Sequence, residues 1–338
     1  MTPARSSIPT PSRLPLAWSA GVALLALVGV LALAFGSASL PIAQVIQALQ
    51  GQGDAGTVAI VQSLRAPRVV LAMLVGAALA MSGGTLQGTL RNPLAEPYLL
   101  GVSGGAAVGA VLAMVLGLHA PLAITGSAFA GAAMATLLTT ALARVAGGAG
   151  DTRLLIMAGV IVGAFANAVI MVALADAPAE QVRGALWWMM GSVADASWGS
   201  VGRAVVAMLP LAGWLVWRAR DLDVIALGAE PAMALGVDVE RTAQWLFLAG
   251  SWLAAATVAS AGLIGFIGLV VPNLARAMGA TRHRPMLLLS ALYGAVLLVA
   301  ADLAARTLRA PVELPLGAVT ALVGVPFFLL RLRRVAAS

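Results

Sequence analysis

Ten apolar runs, most of them about 20 residues long, recur along the chain and are separated by short polar or basic segments. Runs of this length match the ~30 Å hydrocarbon core of a bilayer when they are helical. Because unpaired backbone groups are costly in lipid, a spanning segment must be a helix or part of a closed barrel, and these runs are continuous, not alternating. We predict an all-α, polytopic membrane helical bundle with ten transmembrane helices. The predicted spans are 16–35, 69–90, 99–118, 121–143, 154–175, 201–217, 242–261, 264–278, 286–305 and 314–330.

Composition agrees with the bilayer as solvent. With 61% hydrophobic residues, 10% charged residues and a mean hydropathy of +0.99, the chain cannot cover a water-facing surface with polar groups. The first run follows a leader that carries Arg5 and Arg13, which resembles a signal peptide. We interpret it as the first span, because it exceeds the apolar core of a signal peptide and further spans follow.

All 20 basic residues are arginine, which excludes several activities. A P-loop needs a lysine that reaches the terminal phosphates, and Schiff-base chemistry needs an amine. Any ATP hydrolysis must therefore come from a partner. With no cysteine and only His119 and His283, a zinc or iron–sulfur site has almost no ligands to draw on.

The arginines also predict a topology. Placing both termini in the cytoplasm assigns fourteen arginines to the inner side and six to the outer side, which satisfies the positive-inside rule. The net charge of +7 is then explained largely by the arginines that set the topology. A nucleic-acid partner is therefore disfavoured.

Segment 101–105 matches the G-x-S-x-G signature of serine hydrolases, with Ser103 as the nucleophile. The motif needs a strand-to-helix elbow and a base, whereas here it begins an apolar span. Its glycines are better interpreted as helix-packing sites, together with the further small-residue spacings 159–163 and 262–268.

Polar residues at membrane depth need partners or a wet cavity, and Gln87, Asn167 and Asp302 are the candidates. Arg306 lies four residues after Asp302, so the two are expected to form an ion pair within one helix. Asn167 could bridge two helices or line a pathway. A free Asp302 would instead suit an ion-coupled secondary transporter.

The longest polar interval that this topology places in the cytoplasm is 218–241. Within it, 228–236 is predicted to form a short helix, with Pro231 in its first turn and Gly236 at its end. Asp238 is expected to cap the next span. A short amphipathic helix outside the bilayer suits docking to another protein, and a solvated interfacial linker is the alternative.

Several motifs together resemble the permeases of the cobalamin and ferric-chelate (FecCD-type) ABC import family. They are LRAPR at 64–68, GTLRNPLAEP at 88–97 followed by LGVSGG at 100–105, WMMGS at 188–192, LGV at 235–237, GLIGFIGLVVP at 262–272 and ELPLG at 313–317. Their order and spacing cover nearly the whole chain from about residue 60.

The resemblance implies a type II ABC importer permease: one transmembrane domain over 1–338, with a cytoplasmic leader at 1–14 and a cytoplasmic coupling segment at 218–241. Its implied partners are a second permease, either another copy of this chain or a paired paralogue, two cytoplasmic ATPases that hold ATP and Mg²⁺, and a periplasmic binding protein. The residues implied in ATPase coupling are Gly228, Glu230, Ala234, Leu235, Gly236, Asp238 and Arg241. Those implied in binding-protein docking are Arg65, Arg68 and Arg306, as exposed guanidinium groups.

By the same resemblance, the fifth and tenth spans line the pathway at the dimer interface. Its gate and lining candidates are Gly150, Asp151, Thr152 and Asn167. The family implies an iron chelate as cargo, haem or a ferric siderophore, with cobalamin as the alternative. No covalent chemistry is expected of this chain.

Overall fold

A computed structural model describes residues 14–36, 39–118, 120–147 and 152–336, and these ranges contain fifteen α-helices and no β-strand. A π-helical segment, Ile60–Arg65, joins α3 to α4, and a 3₁₀ turn, Pro97–Leu100, precedes α5. The α-helices are α1 Leu14–Ala34, α2 Ile42–Leu49, α3 Ala55–Ala59, α4 Ala66–Thr89, α5 Val102–Val115, α6 Pro121–Val145, α7 Thr152–Ala175, α8 Ala179–Met189, α9 Trp198–Trp217, α10 Ala219–Ala226, α11 Ala229–Ala234, α12 Val239–Ala261, α13 Ile267–Ala277, α14 His283–Thr307 and α15 Leu316–Ala336.

Each of the ten predicted runs coincides with one of these helices, so the all-helical prediction is confirmed. Within the described ranges, six helical segments are long and apolar enough to cross a membrane, namely Leu14–Ala34, Ala55–Thr89, Pro121–Val145, Arg153–Ala175, Trp198–Trp217 and His283–Thr307. Three shorter apolar helices are Val102–Val115, Ile267–Ala277 and Leu316–Pro326. The number of crossings stays a prediction.

Helix α4 lies at the centre of the bundle. It packs against α14, α12, α13 and α9, and most of its residues are buried. A helix that is apolar on all sides is stable only when other helices or lipid surround it. Because α4 and α14 run antiparallel, the start of α4 meets the end of α14, and the end of α4 meets the start of α14.

Small residues set the closest helix contacts, as the glycine spacing predicts. A Cβ at Gly105 would overlap the carbonyl oxygen of Gly131, so α5 and α6 touch backbone to backbone. A Cβ at Gly76 would likewise overlap the carbonyl oxygen of Gly294 between α4 and α14. Such contacts replace the hydrophobic driving force that is missing between helices in lipid.

Candidate functional site

Two groups of polar residues lie at opposite ends of the α4–α14 pair. At one end are Arg65, Arg68, Asp302, Arg306 and Glu313, which we call the arginine cluster. At the other end, the segment from the end of α9 to the first turn of α12, residues 218–241, packs α10 against both helices. The first half of this segment is therefore attached to the same two helices that hold the arginine cluster.

Arg68 is the centre of the arginine cluster. Its Nε and NH2 groups donate to Asp302 Oδ1 at 3.0 and 2.8 Å. Its NH1 and NH2 groups donate to the two carboxylate oxygens of Glu313 at 2.8 and 2.9 Å. One guanidinium thus forms two forked ion pairs, which is the strongest geometry available to arginine.

The predicted pair of Asp302 with Arg306 is only a secondary contact. Arg306 Nε lies 3.6 Å from Asp302 Oδ2, beyond ordinary hydrogen-bond distance, whereas Arg68 is bound directly. Arg68 satisfies the carboxylate because the antiparallel contact of α4 and α14 brings together residues 234 positions apart. Asp302 is 1% exposed, and its carboxylate is bound by Arg68.

The two remaining arginines hold the end of α1. Arg65 NH1 donates to the carbonyl oxygens of Leu33 and Ala34 at 2.7 and 2.8 Å, and Arg306 NH2 donates to the carbonyl of Ala32. These carbonyls belong to the last turn of a helix, which lacks intrahelical donors. The arginines act as side-chain caps for α1.

The expectation that the three docking arginines are exposed is wrong for this conformation. Arg65, Arg68 and Arg306 are 6%, 9% and 5% exposed, because each guanidinium donates hydrogen bonds to carbonyl or carboxylate oxygens within the chain. Their part in docking stays a prediction. Glu313, whose side chain is 43% exposed, is the accessible member of the cluster. Hydrogen bonding from Arg68 holds the pKa of the Glu313 carboxyl below its usual value.

The predicted short helix in segment 218–241 is confirmed as α11. Gly228 and Gly236 flank it with φ of 115° and 77°, a region that favours glycine. The Asp238 side chain accepts a hydrogen bond from the backbone N–H of Arg241 at 3.0 Å and caps α12, as predicted. The coupling candidates Glu230, Ala234, Leu235, Gly236, Asp238 and Arg241 are exposed.

Helix α10, which the sequence analysis did not predict, fastens this segment to the bundle. Leu222 and Ile225 are buried, and Leu222 lies beside Gly88 near the end of α4. Asp223 Oδ1 accepts from the backbone N–H of His283 at 2.8 Å and lies 2.7 Å from its Nδ1. The start of α14 is thereby pinned to α10.

Gln87 has the partners that its burial requires. Its Nε2 donates to the Gly268 carbonyl at 3.1 Å, and its Oε1 accepts from Arg276 NH1 at 2.7 Å. The side chain joins α4 to α13, so it supports packing and is not a pathway group.

Glu96 and Tyr98 form a contact that the sequence analysis missed. Glu96 Oε1 accepts from the Phe266 N–H at 2.7 Å, and the Tyr98 hydroxyl accepts from the Ile264 N–H at 2.9 Å. Phe266 has a φ of 70°, an unusual conformation for a non-glycine residue. Burial raises the pKa of the Glu96 carboxyl, and the hydrogen bond from Phe266 partly offsets this increase.

The turn held by Glu96 and Tyr98 also meets two other helices. Ser192 N–H donates to the Ala261 carbonyl at 2.8 Å, joining the end of α8 to the end of α12. Gly317 N–H donates to the Met190 carbonyl at 3.0 Å, joining the start of α15 to α8. One junction therefore connects α8, the α12–α13 turn and α15.

The pathway candidates are only partly within the described structure. Gly150 and Asp151 lie outside the described residues, and Thr152 is the first residue of α7. Asn167 lies exposed on α7, which also carries the exposed apolar side chains of Phe165 and Met171. It therefore does not bridge two described helices of one copy.

The geometry around Ser103 does not form a hydrolase site within the described chain. Ser103 Oγ donates to the Tyr98 carbonyl at 3.2 Å, and no described histidine contacts it. His283 is paired with Asp223, and His119 lies outside the described residues. The same ranges contain no group of three metal-ligating side chains.

Comparison with known proteins agrees with these features. A model described as the FecCD transport family matches residues 24–334. The chain is 40% identical over 332 residues to YvrB, an uncharacterised ABC transporter permease of Bacillus subtilis (strain 168), covering 94% of this chain and 93% of that protein. It is 42% identical over 277 residues to the vitamin B12 import permease BtuC of Vibrio cholerae, covering 81% and 83%.

A solved structure described as a metal-chelate type ABC transporter in an inward-facing conformation has the same fold. The TM-score is 0.81 with 29% identity, and the match covers 95% of this chain and 99% of that one.

Proposed function

The chain belongs to the FecCD transport family and is an ABC importer permease, and we propose that its cargo is a bulky metal chelate. The Vibrio relative is named for vitamin B12, and the solved neighbour for metal chelates. Cobalamin is itself a metal chelate, so both names support one chemical class, and the name of the Vibrio relative favours cobalamin. An iron chelate, haem or a ferric siderophore, stays the alternative cargo.

The proposed assembly contains two copies of this chain, two cytoplasmic ABC ATPases and a periplasmic binding protein in the bacterial inner membrane. ATP and Mg²⁺ bind to the ATPases, because a chain without lysine cannot supply a P-loop. Ten spans with both termini in the cytoplasm place segment 218–241 inside and the arginine cluster outside.

One observation carries the proposal: α4 and α14 connect the two polar ends. At the inner end, the Asp223–His283 contact and buried Leu222 attach segment 218–241 to both helices. At the outer end, Arg68 and Asp302 bind the same helices to each other. Movement of the segment by an ATPase would reach the outer surface through two rigid elements, as alternating access requires.

The contact with the ATPase would use the apolar residues of α11 and its flanks. Leu227, Met233 and Leu235 are 63%, 59% and 64% exposed outside the long apolar helices. Exposed apolar side chains grouped on a short polar segment are typical of a protein interface. Glu230 would add a charged contact at its rim.

Docking of the binding protein would begin at Glu313. Its carboxylate is the more exposed of the two partners of Arg68, with 43% of the side chain accessible against 2% for Asp302. A carboxylate from the binding protein could take its place on Arg68 without disturbing the buried Asp302 contact. Arg65 and Arg306 would keep α1 in position during this exchange.

The pathway would follow α7 and α15 at the interface between two copies. Asn167 and the exposed apolar side chains of α7 face away from the rest of the chain, as a lining surface would. Gly150, Asp151 and Thr152 remain the proposed gate. The junction of α8, α15 and the α12–α13 turn would transmit movement to the lining helices.

An ion-coupled secondary transporter is less well supported by the same contacts. It would need a membrane carboxylate free to titrate, and Asp302 is bound by Arg68.

Reconstitution tests the function. Proteoliposomes that contain this chain and its ATPase should take up cyanocobalamin when binding protein and ATP are supplied, and an uncoupler should not change the rate. Haem and a ferric siderophore are the parallel cargos. Uptake driven by a proton gradient without ATP would contradict the importer, whereas ATP-driven uptake of an iron chelate alone would change only the cargo.

Leu235→Glu tests the inner contact in the same system. We expect ATPase co-purification and uptake to be lost, because a charge would replace an apolar interface residue. Leu116→Glu is the matched control, since Leu116 is 75% exposed at the end of α5. Equal losses in both variants would contradict the role of α11.

A further inference from the structure

A groove between α9 and α12 has the composition of a lipid site. Its volume is about 600 Å³, within the range typical of small-molecule sites. The walls are almost entirely apolar and aromatic, with Arg218 at one end. The lining residues are Pro210, Leu211, Trp214, Arg218, Trp245, Leu248, Ala249 and Trp252.

Each helix has an arginine at the end that segment 218–241 joins. Arg218 follows Trp214 by four residues at the end of α9. Arg241 precedes Trp245 by four residues in the first turn of α12, and a four-residue step keeps both side chains on one helix face. Arg218 lines the groove, and Arg241 lies one helical turn from the lining residue Trp245.

Arg218 is held in place while part of it stays available. Its guanidinium carbon lies 5.8 Å from the ring centroid of Trp214 and 5.7 Å from that of Trp217. Its Nε faces Asp221 at 2.5 Å, and its two terminal amino groups have no hydrogen bond to any described residue. The stacked geometry orients a cation above an apolar surface.

Arg241 contributes a second positive charge that is not neutralised by an ion pair. Its side chain is exposed and forms no ion pair with the described residues. The groove thus has a paired guanidinium, Arg218, stacked on Trp214, and an exposed guanidinium, Arg241, one helical turn from Trp245. Tryptophan at the membrane interface and a basic pocket between helices together favour an anionic headgroup.

We propose that this groove binds one anionic phospholipid, with an acyl chain between α9 and α12 and its phosphate between Arg218 and Arg241. The aliphatic residues and Trp252 pack against the chain, and Trp214 and Trp245 lie beside the headgroup region. A phosphate in this position would bridge the two ends of segment 218–241. The proposed orientation of the chain in the membrane decides which leaflet supplies this lipid. It does not affect whether the groove binds one.

Native mass spectrometry of the full chain in detergent tests this site. Phosphatidylglycerol and phosphatidylcholine with identical acyl chains are titrated separately, and one tightly held phosphatidylglycerol is expected. Arg218→Gln and Arg241→Gln should each weaken its affinity about fivefold, the equivalent of ~1 kcal/mol per basic residue. Arg144→Gln is the matched control, an exposed arginine in the last turn of α6, and should leave the affinity unchanged.

A second variant locates the acyl chain. Leu211→Trp should fill the groove and reduce retention of both lipids, with gel filtration to verify that the protein stays monodisperse. Equal affinity for the two lipids in the wild type, or unchanged phosphatidylglycerol affinity in Arg218→Gln and Arg241→Gln, would overturn the proposal. If Leu211→Trp does not fold, the arginine variants alone decide the outcome.

Discussion

Asp302→Asn is the substitution that most directly probes the arginine cluster. Asn has nearly the same size as Asp, so the change removes a charge without creating a cavity. In the wild type, Asp302 accepts from Arg68 Nε at 3.0 Å and from Arg68 NH2 at 2.8 Å, and it is 1% exposed. The variant leaves two buried guanidinium groups with Glu313 as their remaining acidic neighbour.

The size of the effect follows from burial. Breaking a buried ion pair by removing one partner costs about 3–5 kcal/mol, because the other charge is left uncompensated. Glu313→Gln removes the second carboxylate of the same Arg68, but from a half-exposed position where ion pairs contribute about 0–1 kcal/mol. At about 2 °C per kcal/mol, Asp302→Asn should lower the unfolding midpoint by about 6–10 °C and Glu313→Gln by less than about 2 °C.

Thermal unfolding in detergent, followed by tryptophan fluorescence, measures both variants under identical conditions. The chain has eight tryptophans, so the signal is large. Equal midpoints for Asp302→Asn and the wild type would refute the reasoning, as would a larger loss for Glu313→Gln than for Asp302→Asn.

Three further predictions concern other contacts. Because the folded pKa of Glu96 is raised, its native form holds a proton more tightly than the unfolded chain, and stability should fall as pH rises through the range between the two pKa values. In Glu96→Gln, the unfolding midpoint should depend less on pH over that range. The same pH dependence as in the wild type would contradict this prediction. Gly105→Leu should reduce folded yield, measured by gel filtration, because its side chain would meet the Gly131 backbone, whereas Gly126→Leu, in open space on α6, should not. Glu313→Ala should strengthen binding-protein docking severalfold in a pull-down titration by freeing part of Arg68, and weaker docking would contradict the proposed exchange.

The long helices could be predicted because lipid imposes a simple length and hydropathy rule. The amphipathic helices α8 and α10 were missed because they carry charged residues and lie between the apolar runs. Helix α5 is shorter than its predicted span 99–118, since Pro97 and left-handed Gly101 delay its start.

Among the site residues, those with local signals were predicted correctly, and those with distant partners were not. The cap at Asp238 and the helix at α11 were predicted correctly because their signals are local in sequence. The exposure of Arg68 was predicted wrongly because its partners lie 234 and 245 residues away, and neither periodicity nor charge spacing shows such a contact. Glu96 was missed for the same reason, although an acidic residue between apolar runs was a signal that could have been followed.

The opposite placement of the two polar ends is the point on which the transport mechanism depends most. The chain contains no cysteine, so single cysteines report position without background. Val312→Cys and Leu235→Cys sit at exposed positions, 55% and 64% accessible, beside the arginine cluster and at the end of α11.

A membrane-impermeant maleimide, applied to spheroplasts and to inverted membrane vesicles, should label Val312→Cys only in spheroplasts and Leu235→Cys only in inverted vesicles. Labelling of both positions from the same side would contradict the mechanism, because α4 and α14 would then not connect an ATPase contact to an external docking surface.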